Sequence, residues 1–142
     1  FHNGEYLLIE KLGYHIHSPV RGDVIVFKYP NNTEVNYIKR IVGLPGETVR
    51  IFENQVYVNG KKLTETYLSP DEKTIVSQSP ETPYEVSLNS EQYFVMGDNR
   101  PKSSDSRVWG ALPKDDIIGR AYVRIFPVAQ ASVLPGVAEF SQ

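Results

Sequence analysis

Apolar residues in this chain come in short runs separated by Gly, Pro, Asn and Ser, and nowhere does a 3.6-residue apolar period persist for three turns. The run Tyr6-Leu7-Leu8-Ile9, entered through Asn3-Gly4, reads as a first strand over 5–10. Loop-like residues follow to Pro19, and then Arg21-Gly22-Asp23 leads into Val24-Ile25-Val26-Phe27, a continuous apolar run of the kind a fully buried strand shows. Residues 29–33 are turn material. Beyond them the run 36–42 carries Lys39 and Arg40 among aromatic and β-branched residues, and Gly43-Leu44-Pro45-Gly46 forces the backbone out of the strand. Alternation puts Lys39 on one face with Tyr37 and Ile41, and Arg40 on the other with Ile38 and Val42. Periodicity does not say which cation points inward.

The second half continues the pattern. Thr48-Val49-Arg50-Ile51-Phe52, Glu53-Asn54, Gln55-Val56-Tyr57-Val58 and Asn59-Gly60 form a hairpin ladder, with Asn59-Gly60 the strongest short turn signal in the chain. Residues 64–92 shift to Ser, Thr, Glu and Pro and read as a long excursion or flap with at most short strands. Strands return at 93–96 and 121–126, and 113–116 suits a single helical turn. These elements predict a mainly β protein. Its core is drawn from residues 1–46 and 93–127, with 47–92 as an inserted hairpin and flap lobe and 128–142 as a tail of no legible period.

At 142 residues the chain is long enough for one solid core or a core with a small appended lobe. A net charge of -2, from 15 basic and 17 acidic residues, gives no electrostatic footprint for a polyanion, so nucleic acid is not the expected partner. The absence of cysteine excludes disulfides, cysteine nucleophiles and thiolate metal sites without fixing the compartment. No apolar run approaches the roughly 20 residues that span a bilayer, so these 142 residues are expected to be soluble as they stand. The start at Phe1-His2-Asn3-Gly4, without methionine, reads as the middle of a longer protein.

Lys39 invites a chemical reading because a buried lysine can shed its proton and act as a general base, which arginine practically never does. Moving a lysine from its reference value of about 10.4 to near neutrality takes about 4 kcal/mol of desolvation. The alternative is an ordinary strand lysine whose ammonium snorkels to water. The loop 97–110 gathers Asp98, Asn99, Arg100, Ser103, Ser104, Asp105, Ser106 and Arg107 between Met96 and Trp109. It reads either as a catalytic support, with hydroxyls bonded to a reacting lysine and an Asp105–Arg107 ion pair fixing the loop, or as a self-bonded Asx and Ser turn. His15-x-His17 lacks a third ligand at a telling spacing, so no metal and no other cofactor is expected. No Gly-x-Ser-x-Gly elbow is present, and Gly43-Leu44-Pro45-Gly46 lacks the Gly-Lys-Ser/Thr ending of a phosphate loop.

Three stretches, in this order, resemble the bacterial type I signal peptidases, membrane-anchored serine peptidases that use a Ser-Lys pair. They are Arg21-Gly22-Asp23-Val24-Ile25-Val26-Phe27, the run from Tyr37-Ile38-Lys39-Arg40 to Gly46-Glu47, and Met96-Gly97-Asp98-Asn99-Arg100 continuing through Ser103-x-Asp105-Ser106-Arg107-x-Trp109-Gly110. The match spans about residues 1–127. It implies an antiparallel β core of the signal-peptidase type with Lys39 as general base, Ser103 orienting that lysine, and Asp105 with Arg107 supporting the loop. It also implies Val26, Tyr37 and Ile38 as walls of substrate pockets, with Phe1 at the rim; for Val26 plain sheet core is the competing reading. The nucleophile lies in a Ser-Met-x-Pro-Thr-like motif just before the position that Phe1 matches, so the family's serine and its membrane anchor are expected upstream of this chain. The implied partner is the signal-peptide region of exported preproteins, and the implied location is the extracytoplasmic face of the bacterial cytoplasmic membrane. Pro101-Lys102 departs from the Asp-Asn common in the family, which predicts different hydrogen bonding in the loop. Two rivals stand beside this reading: a self-cleaving Ser-Lys regulator, and a non-enzymatic β domain that holds peptides or a partner.

Overall fold

A computed structural model describes residues 5–10, 18–74, 76, 82–125 and 137–139. Strands β1 (Glu5–Glu10), β2 (Val24–Tyr29), β3 (Asn32–Gly43), β8 (Gln92–Met96), β9 (Leu112–Pro113), β10 (Ile117–Ile125) and β11 (Val137–Glu139) form a seven-stranded sheet in the order β11-β1-β10-β2-β3-β8-β9. A second sheet takes β4 (Thr48–Phe52), β5 (Gln55–Val58), β6 (Lys61–Lys62) and β7 (Tyr84–Ser87) in the order β6-β5-β4-β7. Every pairing is antiparallel. Among the described residues no helix is long and apolar enough to cross a membrane.

Most strands fall where the apolar runs put them, and the differences have local causes. Tyr29 extends β2 and β3 begins at Asn32, because only Pro30 and Asn31 are needed to reverse the chain. Glu53 and Asn54 turn the β4–β5 hairpin at positive φ (50° and 62°), as a two-residue turn of right twist requires. In the tail, β11 pairs residues 137–139 with β1, a short edge strand that no sequence period announces. The loop after β8 contains a helical turn, α1 (Ser106–Trp109), capped by the Asp105 side chain accepting from the Arg107 backbone N–H.

The faces of the large sheet follow β3. Lys39 pairs with Ile25 and Tyr37 with Phe27, so these share a face with Ile41, Tyr93, Val95 and Leu112, and Trp109 packs against them. On the reverse face Val26 pairs with Ile38 and packs on Ala121. Further along that face Val42, Phe94 and Met96 meet Val49, Ile51 and Val56 of the second sheet in one buried cluster. At Gly43 the two sheets approach closely: a Cβ there would lie 2.6 Å from Val49 Cγ2 and 3.0 Å from Leu88 Cδ1. Arg21 closes the turn beyond it, donating to Val42 O and to both carboxylate oxygens of Glu47, which also accepts from the Leu44 N–H.

Candidate active site

Strand β3 carries Lys39 along the edge where β8 stops. β8 pairs with β3 only at Arg40, Ile41 and Gly43, so residues 32–39 of β3 have β2 on one side and no strand on the other among the described residues. Met96, opposite Arg40, is the last residue of β8, and Gly97 then turns the chain into the polar loop. The Lys39 amine lies against this turn, because a Cβ built on Gly97 would stand 3.4 Å from Nζ and would overlap the Ser103 hydroxyl. The lysine amine and the serine hydroxyl therefore lie beside one glycine, whose missing side chain leaves room for Ser103.

The Ser103 hydroxyl is buried and has no hydrogen-bond partner among the described residues. Lys39 is partly buried, with its amine 5.8 Å from the centre of the Tyr37 ring. Burial is the main cause that pushes its amine below the ordinary lysine value; Arg107 pushes the same way, while the Asp105 and Asp98 carboxylates oppose. A neutral amine is thus easier to reach here than in water, which is the condition for a lysine to act as a base.

The loop is held from within. Asp105, fully buried, accepts from Arg107 Nε and Nη2 at 2.8 Å each, from the Arg107 N–H at 3.1 Å and from the Gly97 N–H at 3.0 Å. Burial alone would raise its carboxyl, but the Arg107 hydrogen bonds and charge and the two backbone donors outweigh it and hold it below the usual carboxylate range. Ser106 Oγ accepts from the Val95 N–H, tying α1 to β8. On the reverse face, Arg40 spans Asp98 (2.9 and 2.7 Å) and Gly22 O, fixing the other side of the same turn.

Of the residues nominated from the sequence, Lys39, Ser103, Asp105 and Arg107 are brought to one place, and Tyr37 joins them on the lysine's face. Val26 and Ile38 are cross-strand neighbours buried on the opposite face, so the three wall candidates do not share one surface of the sheet. Phe1, His15 and His17 lie outside the described residues. Among the described residues no group of three His, Cys, Asp or Glu could hold a metal ion. Sequence reasoning named Gly97 and Arg100 in the polar loop without giving them a role of their own, and did not name Glu65. The glycine is visible as a turn residue, but the pairing of Arg100 with Glu65 joins positions 35 apart that no spacing rule connects.

A family model described as signal peptidase, peptidase S26, matches residues 1–126. The chain is 40% identical over 139 residues to a probable signal peptidase I-2 of Synechocystis, covering 94% of this chain and 60% of that protein. It is 36% identical over 130 residues to signal peptidase I T of Bacillus subtilis, covering 89% and 67%. A signal peptidase I crystal structure from Enterococcus faecalis aligns with a TM-score of 0.62 at 32% identity, covering 73% of this chain and 97% of that one. The chain spans about 60% of the length of the first relatives it matches. By its family model, its relatives and its fold, this chain belongs to the signal peptidase family, peptidase S26.

Proposed function

We propose that this chain is the catalytic part of a type I signal peptidase, a serine endopeptidase that removes signal peptides from exported preproteins with Lys39 as general base. The observation that carries the reading is the meeting of the Lys39 amine and the buried Ser103 hydroxyl over Gly97, at the edge of β3 that β8 leaves open. A serine hydroxyl from the segment preceding Phe1, where the family resemblance puts the nucleophile, would give its proton to neutral Lys39 as its oxygen attacks the scissile carbonyl. The C–N bond then breaks, the departing amine takes the proton back from the Lys39 ammonium, and water hydrolyses the acyl-enzyme by the same base. Ser103 orients the amine, and the Asp105–Arg107 pair keeps Ser103 in place by fixing the loop on both sides of it.

Residues 33–39 offer an extended peptide a strand to pair with, and backbone pairing of this kind aims alternate side chains at the protein. Tyr37 would flank such a peptide from the lysine's face; Val26 and Ile38 would shape its surroundings through the strand they stiffen. The parent protein is membrane-anchored in this reading and works at the extracytoplasmic face of the bacterial cytoplasmic membrane, without metal or other cofactor.

The test is cleavage of an Ala-x-Ala signal peptide by the full-length protein, with Lys39→Met as the control. Cleavage that survives in Lys39→Met rejects the base. A full-length protein that binds the peptide without cutting it favours the non-enzymatic module, and cutting confined to its own chain favours the self-cleaving regulator.

A further inference from the structure

Among the described residues Arg100 is the largest side chain with almost no exposure, yet it is a cation. Its Nε donates to Gly97 O at 2.8 Å, its Nη1 to Thr74 Oγ1 at 2.8 Å and to Glu65 Oε2 at 3.2 Å, and its Nη2 to Glu65 Oε1. Its own carbonyl accepts from Arg107 Nη2 at 2.8 Å. Glu65, whose side chain is 11% exposed, and Thr74 belong to the segment that follows β6, outside the large sheet. Two residues on, the Tyr67 hydroxyl donates to Glu65 Oε1 at 3.0 Å, and the Tyr67 ring lies under the Arg40 guanidinium at 4.2 Å. Arg40 is the strand neighbour of Lys39 and holds Asp98. One short segment therefore grips both sides of the site: through Arg100 it fixes Gly97, on which Ser103 and the Lys39 amine rest, and through Tyr67 it fixes the strand that carries Lys39.

Burying an ion pair is a poor way to gain stability, since well-packed apolar residues of similar volume usually do as well or better. What an ion pair supplies instead is a fixed direction, because a bidentate carboxylate leaves the guanidinium one orientation. Here that orientation points Nε at Gly97 O.

We propose that Glu65 and Tyr67 are positioning residues for the Lys39–Ser103 site, a tether from the second lobe that sets the distance between β3 and the loop 97–107. The proposal rests on the Ser-Lys peptidase reading for its functional meaning but not for its geometry. Loosening the tether lets Gly97 move off Lys39 and admits water to the amine. The charged and polar groups that face this amine are Asp105, Arg107, Asp98 and Ser103 from the loop and Tyr37 from its own strand. Because burial is the chief cause of the depressed value, hydration moves it upward.

The experiment follows Lys39 in the 142-residue chain by the pH titration of its 13C-labelled Cε, assigned with Lys39→Arg, in the natural chain, Glu65→Gln and Tyr67→Leu. A higher midpoint in both variants, with cooperative thermal melting retained, is the expected result; unchanged midpoints overturn the proposal. If Glu65→Gln does not fold, Tyr67→Leu alone decides by the same criterion, since it leaves the Arg100–Glu65 pair intact. In the full-length protein the same variants should lose about tenfold in kcat/KM near pH 7 with KM little changed and recover it at higher pH, whereas a merely structural loss lowers the profile without moving it. A natural full-length protein that cuts no signal peptide defeats the peptidase reading and leaves the titration to judge the tether.

Discussion

The loop 97–110 and the segment 63–74 are both polar and both hold a buried guanidinium, but the first closes on itself and the second closes on its neighbour. Asp105 and Arg107 are two residues apart and share a cap, a helical turn and a backbone N–H, so most of their geometry is settled locally. Glu65 follows β6 of the small sheet and Arg100 follows β8 of the large one, so they meet only through the tertiary fold. A local ion pair shapes its own loop, while a distant one reports whether two parts of the molecule have met correctly. The site uses both at a single residue, since Gly97 gives its N–H to Asp105 and its carbonyl to Arg100.

That contrast can be broken most severely at Asp105. Asp105→Asn leaves Arg107, 4% exposed, without its carboxylate and should cost about 3–5 kcal/mol by chemical denaturation at neutral pH. Because the Asp105 carboxyl is held below its unfolded value, its contribution is complete above about pH 4 and fades as the pH falls through the folded value. The stability gap between the natural chain and Asp105→Asn should therefore close on acidification, and a constant gap down to pH 2 would show that charge is not the cause.

Gly97→Ala comes next. The added methyl overlaps Ser103, so the loop must shift at a cost of about 1–3 kcal/mol. In the full-length protein the proposed peptidase activity should fall well beyond what the lost stability explains, measured at a temperature where the variant is fully folded.

A double-mutant cycle sharpens the comparison further. Asp105→Asn and Glu65→Gln act on one residue from two sides, so their combined cost should differ from the sum by about 0.5–3 kcal/mol. Strict additivity would mean that the two guanidinium sites are independent.

The smallest effect is expected at Lys39 and has the opposite sign. Lys39→Met removes an amine that the fold holds below its ordinary value and should raise the melting temperature by about 3 °C at neutral pH. With a folded value lower than the unfolded one, the lysine's penalty is complete below the folded value and vanishes above about pH 10.4. The gain should therefore shrink in alkaline buffer.

Periodicity was enough for the strands that bury a face: Val24-Ile25-Val26-Phe27 is apolar throughout because both faces of β2 are covered, and Thr48 to Val58 alternates around a two-residue turn. The same alternation correctly paired Lys39 with Tyr37 and Ile41. It was silent where an element is too short to show a period, as in the three-residue β11, the two-residue β9 and the helical turn α1, which the Asp105 side chain caps. The tether was illegible for a different reason. Glu65 and Tyr67 sit in a stretch whose composition reads as flap, and the partners that give them meaning, Arg100 and Arg40, are reached only through the tertiary fold.

Where β8 gives out at Met96, residues 32–39 of β3 have amide and carbonyl groups with no strand beside them on that side among the described residues. Main-chain groups are the same in every polypeptide, so docking there discriminates by shape and stretch more than by spelling, and only every second residue of the visitor is inspected. On the proposed reading, a surface of this kind would tolerate great variety among signal peptides. It is also indiscriminate enough to stack with another copy of itself at high concentration unless something else covers it.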